Sequence, residues 1–197
     1  MITKIKIYSR FHMNIFAFEE GFQFPFKDKE WALVSIWSPG DEEYLTDEKR
    51  DTLKKFGCVD GISLCFSDTT SENVEYLKKT RPGYDFTNMI LFSDEQAKQT
   101  VEFIDKWNDD PEDIILIAHC DAGISRSGAV GTYACDRCRL GYSDFIRENR
   151  QVMPNHMVLR MLGDKAGMNG SAFEDLKNGG YTEENGIFRP KRDDELK

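Results

Sequence analysis

The sequence HCDAGISRS at residues 119–127 places a cysteine, Cys120, six positions before an arginine, Arg126. A thiolate is a strong nucleophile, and the planar guanidinium of an arginine can hold two oxygens of one phosphate. If the residues between the two form a loop, its backbone N–H groups can surround an anion beside the sulfur. The residue types and their spacing therefore suit the attack of sulfur on phosphorus.

The flanking residues predict the elements that hold this loop. Residues 114–118 form a continuous apolar run, which is typical of a fully buried strand, and residues 126–140 can form a helix. The stretch after Cys120 is then a strand-to-helix loop. Its N–H groups, the positive end of the helix dipole and Arg126 all favour the thiolate form of Cys120.

Strands and helices alternate along the rest of the chain, which predicts an α/β fold with a central, mostly parallel sheet flanked by helices. The predicted strands cover residues 2–8, 31–37, 61–66 and 114–118. The predicted helices cover residues 46–56, 73–79, 94–107 and 126–140, and two further helices follow Gly141 and Pro154, the second running through Leu162.

The composition limits the class of protein. The chain has 197 residues, of which 40% are hydrophobic and 12% aromatic, enough for one domain with a substantial core. No apolar stretch approaches the length of a membrane span, and the net charge of −9 disfavours nucleic acid as a general partner. An odd number of cysteines, five, fits the reducing cytoplasm, and no cluster of histidines and carboxylates has the spacing of metal ligands. We therefore expect a cytoplasmic protein without a membrane segment, metal or cofactor.

At the HCDAGISRS sequence the chain resembles the cysteine-dependent protein tyrosine phosphatases, whose loop consists of His-Cys, five residues, Arg and then Ser or Thr. The Ser-Arg-Ser before a helix of small residues is most similar to the dual-specificity branch. The resemblance covers roughly residues 31–164 and implies a protein tyrosine phosphatase-like fold. We interpret residues 1–164 as a single phosphatase-like domain, and residues 165–197, rich in Gly, Asn, Lys and Asp, as a loosely packed or flexible tail.

The resemblance implies roles for the residues of the loop. Cys120 would be the nucleophile and form a cysteinyl-phosphate, and Arg126 would bind the phosphoryl oxygens and stabilise the transition state. Ser127 would donate a hydrogen bond to the sulfur and ease its departure in the second step. The phosphate would be bound by the loop residues Asp121, Ala122, Gly123, Ile124, Ser125 and Arg126.

Other residues would support the loop. The ring of His119 would fix the loop and the thiolate through hydrogen bonds. Asn155, which follows a proline, matches an asparagine that supports the catalytic loop in several relatives. Cys65 is interpreted as a packed strand residue, with a protective disulfide to Cys120, as some relatives form with a second cysteine, as the alternative.

The reaction also needs a general acid to protonate the leaving oxygen, and the family uses an aspartate on an upstream loop. We predict Asp68, because it follows the apolar strand at 61–66, and active sites of parallel sheets gather where strands end. Asp94, which has the sequence of a helix N-cap region, and Asp85 are the alternatives. The separation of 52 residues between Asp68 and Cys120 exceeds the gap usual in the family, so residues 70–88 are interpreted as an insertion.

These features predict a phosphatase that acts on phosphotyrosine in a protein or peptide, and also on phosphoserine and phosphothreonine if the cleft is shallow. The alternative is a catalytically weak module that binds phosphorylated partners, which would need a missing or misplaced acid. Thiol transfer, as in sulfurtransferases or arsenate reductases, is disfavoured by Arg126, Ser127 and the candidate acid. Phosphoinositides are disfavoured because lipid phosphatases of this type tend to carry lysines in the loop, whereas Asp121 would repel a highly anionic ligand.

Overall fold

A central sheet of four parallel strands organises the chain. The computed structural model describes residues 1–19, 24–26 and 28–168, and the backbone of residues 181–184 and 187–190. The strands have the order β1-β4-β2-β3, with β1 at Ile2–Ser9, β2 at Trp31–Trp37, β3 at Cys58–Cys65 and β4 at Ile114–Cys120. Every neighbouring pair is parallel, so the predicted α/β fold with a parallel sheet is confirmed. The inner strands β4 and β2 are buried almost throughout, as expected for strands covered on both faces, and this explains their continuous apolar sequences.

Helices pack on both faces of the sheet. The helices of the described part of the chain are α1 (Arg10–Phe18), α2 (Asp47–Lys54), α3 (Ser71–Thr80), α4 (Asp94–Asn108), α5 (Arg126–Arg137), α6 (Tyr142–Glu148) and α7 (His156–Lys165), and α3 has no buried residue. The sequence patterns do not predict α1, which follows β1 directly because the side chain of Ser9 caps it by accepting a hydrogen bond from the amide of His12. Helix α5 ends three residues earlier than predicted, because the chain turns at Arg139 with a φ of 55°.

Two hydrophobic cores lie on opposite faces of the sheet. Helices α4, α5 and α7 cover the larger core, and α1 and α2 cover the smaller one. Because successive side chains of a strand point to opposite faces, Ala118 and Cys120 of β4 lie in the larger core, whereas Ile115 and Ile117 lie in the smaller one. Helix α5 is buried from Arg126 to Cys135, so the element that follows the loop is fixed by the core.

Beyond α7, β5 (Tyr181–Glu184) and β6 (Ile187–Pro190) form an antiparallel pair. The other residues of the predicted tail after position 168 lie outside the described residues, and the division into a domain at 1–164 and a tail at 165–197 stays a prediction. No helix in the described ranges is long and apolar enough to cross a membrane.

Candidate active site

The loop from Cys120 to Arg126 joins the carboxyl end of β4 to the first turn of α5, and its carbonyl groups are tied to neighbouring segments. The carbonyl of Asp121 accepts from the amide of Arg10 at 3.3 Å, that of Ile124 from Met153 at 3.1 Å, and that of Ser125 from Asn155 at 3.1 Å. Among the described residues, no backbone carbonyl accepts from the amides of residues 121–126. These amides are therefore available to an anion, as in other loops that precede a helix.

Gly123 lets this loop pack against the end of β1. Its φ is +70°, a conformation that side chains disfavour, and a Cβ atom there would lie 2.5 Å from the carbonyl carbon of Tyr8 and 2.6 Å from the nitrogen of Ser9. Any larger residue would have to displace backbone on both sides of the contact.

The thiol of Cys120 lies on the floor of the loop, with only 1% of the residue exposed. Its Sγ atom is 3.1 Å from the hydroxyl oxygen of Ser127, which is also buried. This distance allows Ser127 to donate a hydrogen bond to the sulfur, the contact implied by the family resemblance.

The guanidinium of Arg126 is buried and held by three acceptors. Its Nη1 donates to the carbonyl of Phe66 at 2.9 Å and to the hydroxyl of Ser38 at 3.0 Å, and its Nη2 donates to Oδ2 of Asp121 at 2.5 Å. The Nε atom is buried and has no hydrogen-bond partner among the described residues. A buried donor without a partner is costly, so this N–H is available to a ligand that reaches the loop.

The side chain of Asp121 therefore has a contact that the sequence did not predict. Besides Arg126, it accepts a hydrogen bond from the hydroxyl of Ser38 at 2.6 Å. Burial by itself would raise the pKa of Asp121, but hydrogen bonds from Ser38 and Arg126 and the charges of Arg126 and Arg10 hold it below its ordinary value. The loop thus carries a fixed carboxylate next to its arginine.

The candidate acid Asp68 lies beside the loop. Its Oδ1 accepts from the hydroxyl of Ser125 at 2.7 Å and from Nδ2 of Asn155 at 3.1 Å. The two alternatives lie on other elements. Asp94 is the first residue of α4, next to the N-cap Ser93, and Asp85 accepts from the amide and hydroxyl of Thr87.

Asn155 joins three segments at this point. Its Oδ1 caps α7 by accepting from the amides of Met157 and Val158, at 3.1 and 3.2 Å. Its backbone N–H donates to the carbonyl of Ser125 in the loop, and its side-chain Nδ2 donates to Asp68. Through its backbone N–H and its side chain, Asn155 therefore connects the loop to Asp68.

His119 differs from its predicted role. Neither ring nitrogen has a hydrogen-bond partner among the described residues, so the ring does not fix the loop through hydrogen bonds. Strand alternation turns it away from the face of Cys120, and it packs edge-on against Tyr44 with ring centroids 4.4 Å apart. Burial, with a smaller contribution from the charge of Arg10, lowers the pKa of His119 to about 3, so the ring is neutral at physiological pH.

The disulfide alternative for Cys65 is wrong in this conformation. Cys65 pairs in register with Trp37 of β2, and β4 lies on the other side of β2. Two strand spacings are about 9–10 Å, and a disulfide needs Cα atoms closer than about 7 Å. Both Cys65 and Cys120 are free thiols.

Comparison with solved structures gives distant likenesses, among them two crystal structures of PTPMT1. No family model matches the chain, and no curated protein matches it. A crystal structure of PTPMT1 has 13% sequence identity and a TM-score of 0.41, covering 87% of this chain and 95% of that one. A crystal structure of PTPMT1 in complex with PI(5)P has 12% identity and a TM-score of 0.42, covering 89% and 94%. Because these TM-scores lie below 0.5, the function of the chain is inferred from its own residues.

Sequence reasoning missed Ser38 as part of the site. Ser38 follows β2 directly, and β2 is adjacent to β4. The same rule about the carboxyl ends of parallel strands that predicts Asp68 after β3 therefore applies to Ser38 after β2. Ser38 could therefore be predicted only if the strand order were known.

No group of three or more His, Cys, Asp or Glu residues in the described ranges is arranged to hold a metal ion.

Proposed function

We propose that the protein is a cysteine-dependent phosphatase that hydrolyses phosphotyrosine in a protein or peptide through a cysteinyl-phosphate. The observation that carries this proposal is one loop that combines a buried thiol, a row of open amides and a buried guanidinium with an unpartnered N–H. A loop that binds an anion beside a nucleophilic thiol suits phosphoryl transfer, in which positioning and charge stabilisation supply most of the catalysis.

In the first step the thiolate of Cys120 attacks phosphorus, an S–P bond forms and the bond to the leaving oxygen breaks. Asp68 gives its proton to that oxygen and becomes a carboxylate. Arg126 and the loop amides bind the equatorial oxygens, on which charge develops in the transition state. The contact of Asp68 with Ser125 supports this role, since it keeps the carboxyl group at the rim of the loop.

In the second step water attacks the cysteinyl-phosphate. The carboxylate of Asp68 takes a proton from the water, the S–P bond breaks and orthophosphate leaves. The hydroxyl of Ser127, 3.1 Å from the sulfur, donates a hydrogen bond to the departing thiolate of Cys120. The acid and the thiolate are then both restored.

The fixed carboxylate of Asp121 favours substrates with a single phosphate. It partly offsets the positive charge of Arg126, so a second or third phosphate group gains less from the site. This charge supports a phosphorylated peptide rather than a phosphoinositide. A reducing compartment such as the cytoplasm suits a nucleophilic thiol, which oxidation would inactivate.

The first experiment measures hydrolysis of 4-nitrophenyl phosphate with a chelator present, between pH 5 and 8. Wild type should turn over, Cys120→Ser should not, and Cys65→Ser, which changes a thiol outside the loop, should keep the wild-type rate. Phosphopeptides carrying phosphotyrosine, phosphoserine or phosphothreonine then define the specificity. Turnover that persists in Cys120→Ser contradicts the covalent mechanism, and phosphopeptide binding by a wild type that never turns over supports the binding-module alternative.

A further inference from the structure

The five N–H donors of the Arg126 guanidinium are divided between two edges. Nη1 gives both of its hydrogens to Phe66 and Ser38, and Nη2 gives one to Asp121. Within the described residues this leaves the Nε hydrogen and the second hydrogen of Nη2. Nε and Nη2 form one side of the planar group, the side that can hold two oxygens of a phosphate in parallel.

The adjacent edge, formed by Nη1 and Nη2, is closed by a ring of three side chains. The hydroxyl of Ser38 accepts from Nη1 of Arg126 and donates to Oδ2 of Asp121 at 2.6 Å, and Asp121 accepts from Nη2. One orientation of the hydroxyl proton satisfies all three contacts. A fully satisfied network of this kind restricts the rotation of the arginine, which is 4% exposed.

Ser38 is itself held in place by the backbone. It follows the last residue of β2, and its carbonyl accepts from the amide of Asp41 at 3.0 Å in a turn that contains Gly40 with a φ of +94°. Because β2 is the neighbour of β4, the hydroxyl meets the loop at the shared carboxyl edge of the sheet. Strand β2 and this turn therefore hold the backbone of Ser38, while its hydroxyl contacts Arg126 and Asp121.

We propose that Ser38 is a positioning residue, which with Asp121 fixes the guanidinium of Arg126 so that its Nε and Nη2 edge faces the phosphoryl group. The inference rests on the proposed phosphatase function. Ser38 acts through Arg126 and does not touch the substrate. A fork that is fixed before binding loses less freedom when it meets the phosphate, and it aligns donors with oxygens that become more charged in the transition state.

Kinetics of three variants test the role. Ser38→Ala should lower kcat/KM for 4-nitrophenyl phosphate about tenfold, chiefly through kcat, since it removes a hydrogen bond to a charged group. Ser38→Thr keeps the hydroxyl and should recover most of the loss. Ser63→Ala removes a hydroxyl that accepts from Trp37 on the neighbouring strand, and it should leave the kinetics unchanged.

A double-mutant cycle separates action through Arg126 from a general structural effect. Binding of tungstate, a tetrahedral oxyanion, is measured by calorimetry in Cys120→Ser, so the cycle needs no turnover. Ser38→Ala should weaken binding about tenfold when Arg126 is present and have no further effect in the Arg126→Lys background. An equal loss in both backgrounds, or no loss in either, overturns the proposal. A wild type without turnover contradicts the phosphatase function, while the tungstate cycle still decides the role of Ser38.

Discussion

The Cys120–Arg126 loop and the acid segment, which we define as residues 67–93, meet at one site but are held in different ways. The loop lies between a buried strand and a buried helix, and three of its carbonyls accept backbone hydrogen bonds from other segments. The acid segment follows the edge strand β3 and contains α3, none of whose residues is buried. Its ends are joined by a hydrogen bond from the amide of Ser67 to the carbonyl of Ile90, at 2.7 Å.

The comparison separates the residues proposed to bind the phosphate from Asp68, the residue proposed to deliver the proton. The amides proposed to bind the phosphate are held by backbone hydrogen bonds and by the core, and the guanidinium of Arg126 is held by Ser38, Asp121 and the carbonyl of Phe66. These groups are in place before a substrate arrives. Asp68 is held at the rim by side chains, those of Ser125 and Asn155. A segment with few buried contacts opens at lower free energy than the core, so the acid segment is the less stable part of the site.

The largest expected effect breaks the loop itself. Gly123→Ala places a methyl group within 2.6 Å of backbone atoms of Tyr8 and Ser9, and it strains a φ of +70°. We expect kcat/KM to fall about 1000-fold, because the donors that surround the phosphate are displaced. Gly83→Ala is the matched control in the acid segment, with a φ of +111° and nothing within 4 Å of the added carbon. Similar kinetic losses in both variants would contradict the contrast between the regions.

Asp68→Asn removes the proton but keeps an oxygen that can accept from Ser125 and Asn155. We expect kcat for phenyl phosphate, a substrate with a poor leaving group, to fall about 100-fold, while 4-nitrophenyl phosphate is affected much less. Asp85→Asn and Asp94→Asn test the two alternatives in the same assay. A leaving-group effect in either of them, and none in Asp68→Asn, would move the acid to that residue.

The smallest expected effect concerns His119, the buried residue before Cys120, and the dependence of protein stability on pH. Because burial lowers the pKa of His119 to about 3 from 6.5, the unfolded chain binds a proton between these values that the folded chain does not. Stability from this group is complete above pH 6.5 and is lost as the pH falls towards 3. Between pH 7.5 and 5.0, wild type should lose about 2 kcal/mol more of its free energy of unfolding than His119→Asn.

Urea denaturation at the two pH values measures this difference. His12→Asn, which makes the same substitution at an exposed histidine on α1, is the control. If His119→Asn shows the same difference between the two pH values as wild type, the ring takes up a proton at pH 5.0 in the folded protein as it does in the unfolded chain.

The sequence predicts the parallel sheet well, because buried strands and amphipathic helices leave local patterns that need no knowledge of the fold. It also predicts the Cys120–Arg126 loop, whose parts are adjacent in the chain. Asp68 could be preferred to Asp85 and Asp94 because active sites of parallel sheets lie where strands end, and Asp68 directly follows a strand that the local sequence predicts. The hydrogen-bonding role predicted for His119 is wrong, because adjacent residues of a strand point to opposite faces and the ring packs against Tyr44, away from Cys120.

By itself, the sequence determined the α/β class, the loop and the residue types proposed to attack and bind a phosphate, since each depends on neighbours within a few positions. Only the tertiary structure decided how Arg126 is oriented, because Ser38 and the carbonyl of Phe66 are 88 and 60 residues away and meet it through the strand order β1-β4-β2-β3. The same holds for the packing of Gly123 on β1 and for the contact of Asp68 with Asn155. Hydrogen bonds and close packing act over a few ångströms, and the chain fold sets which distant residues come within that range.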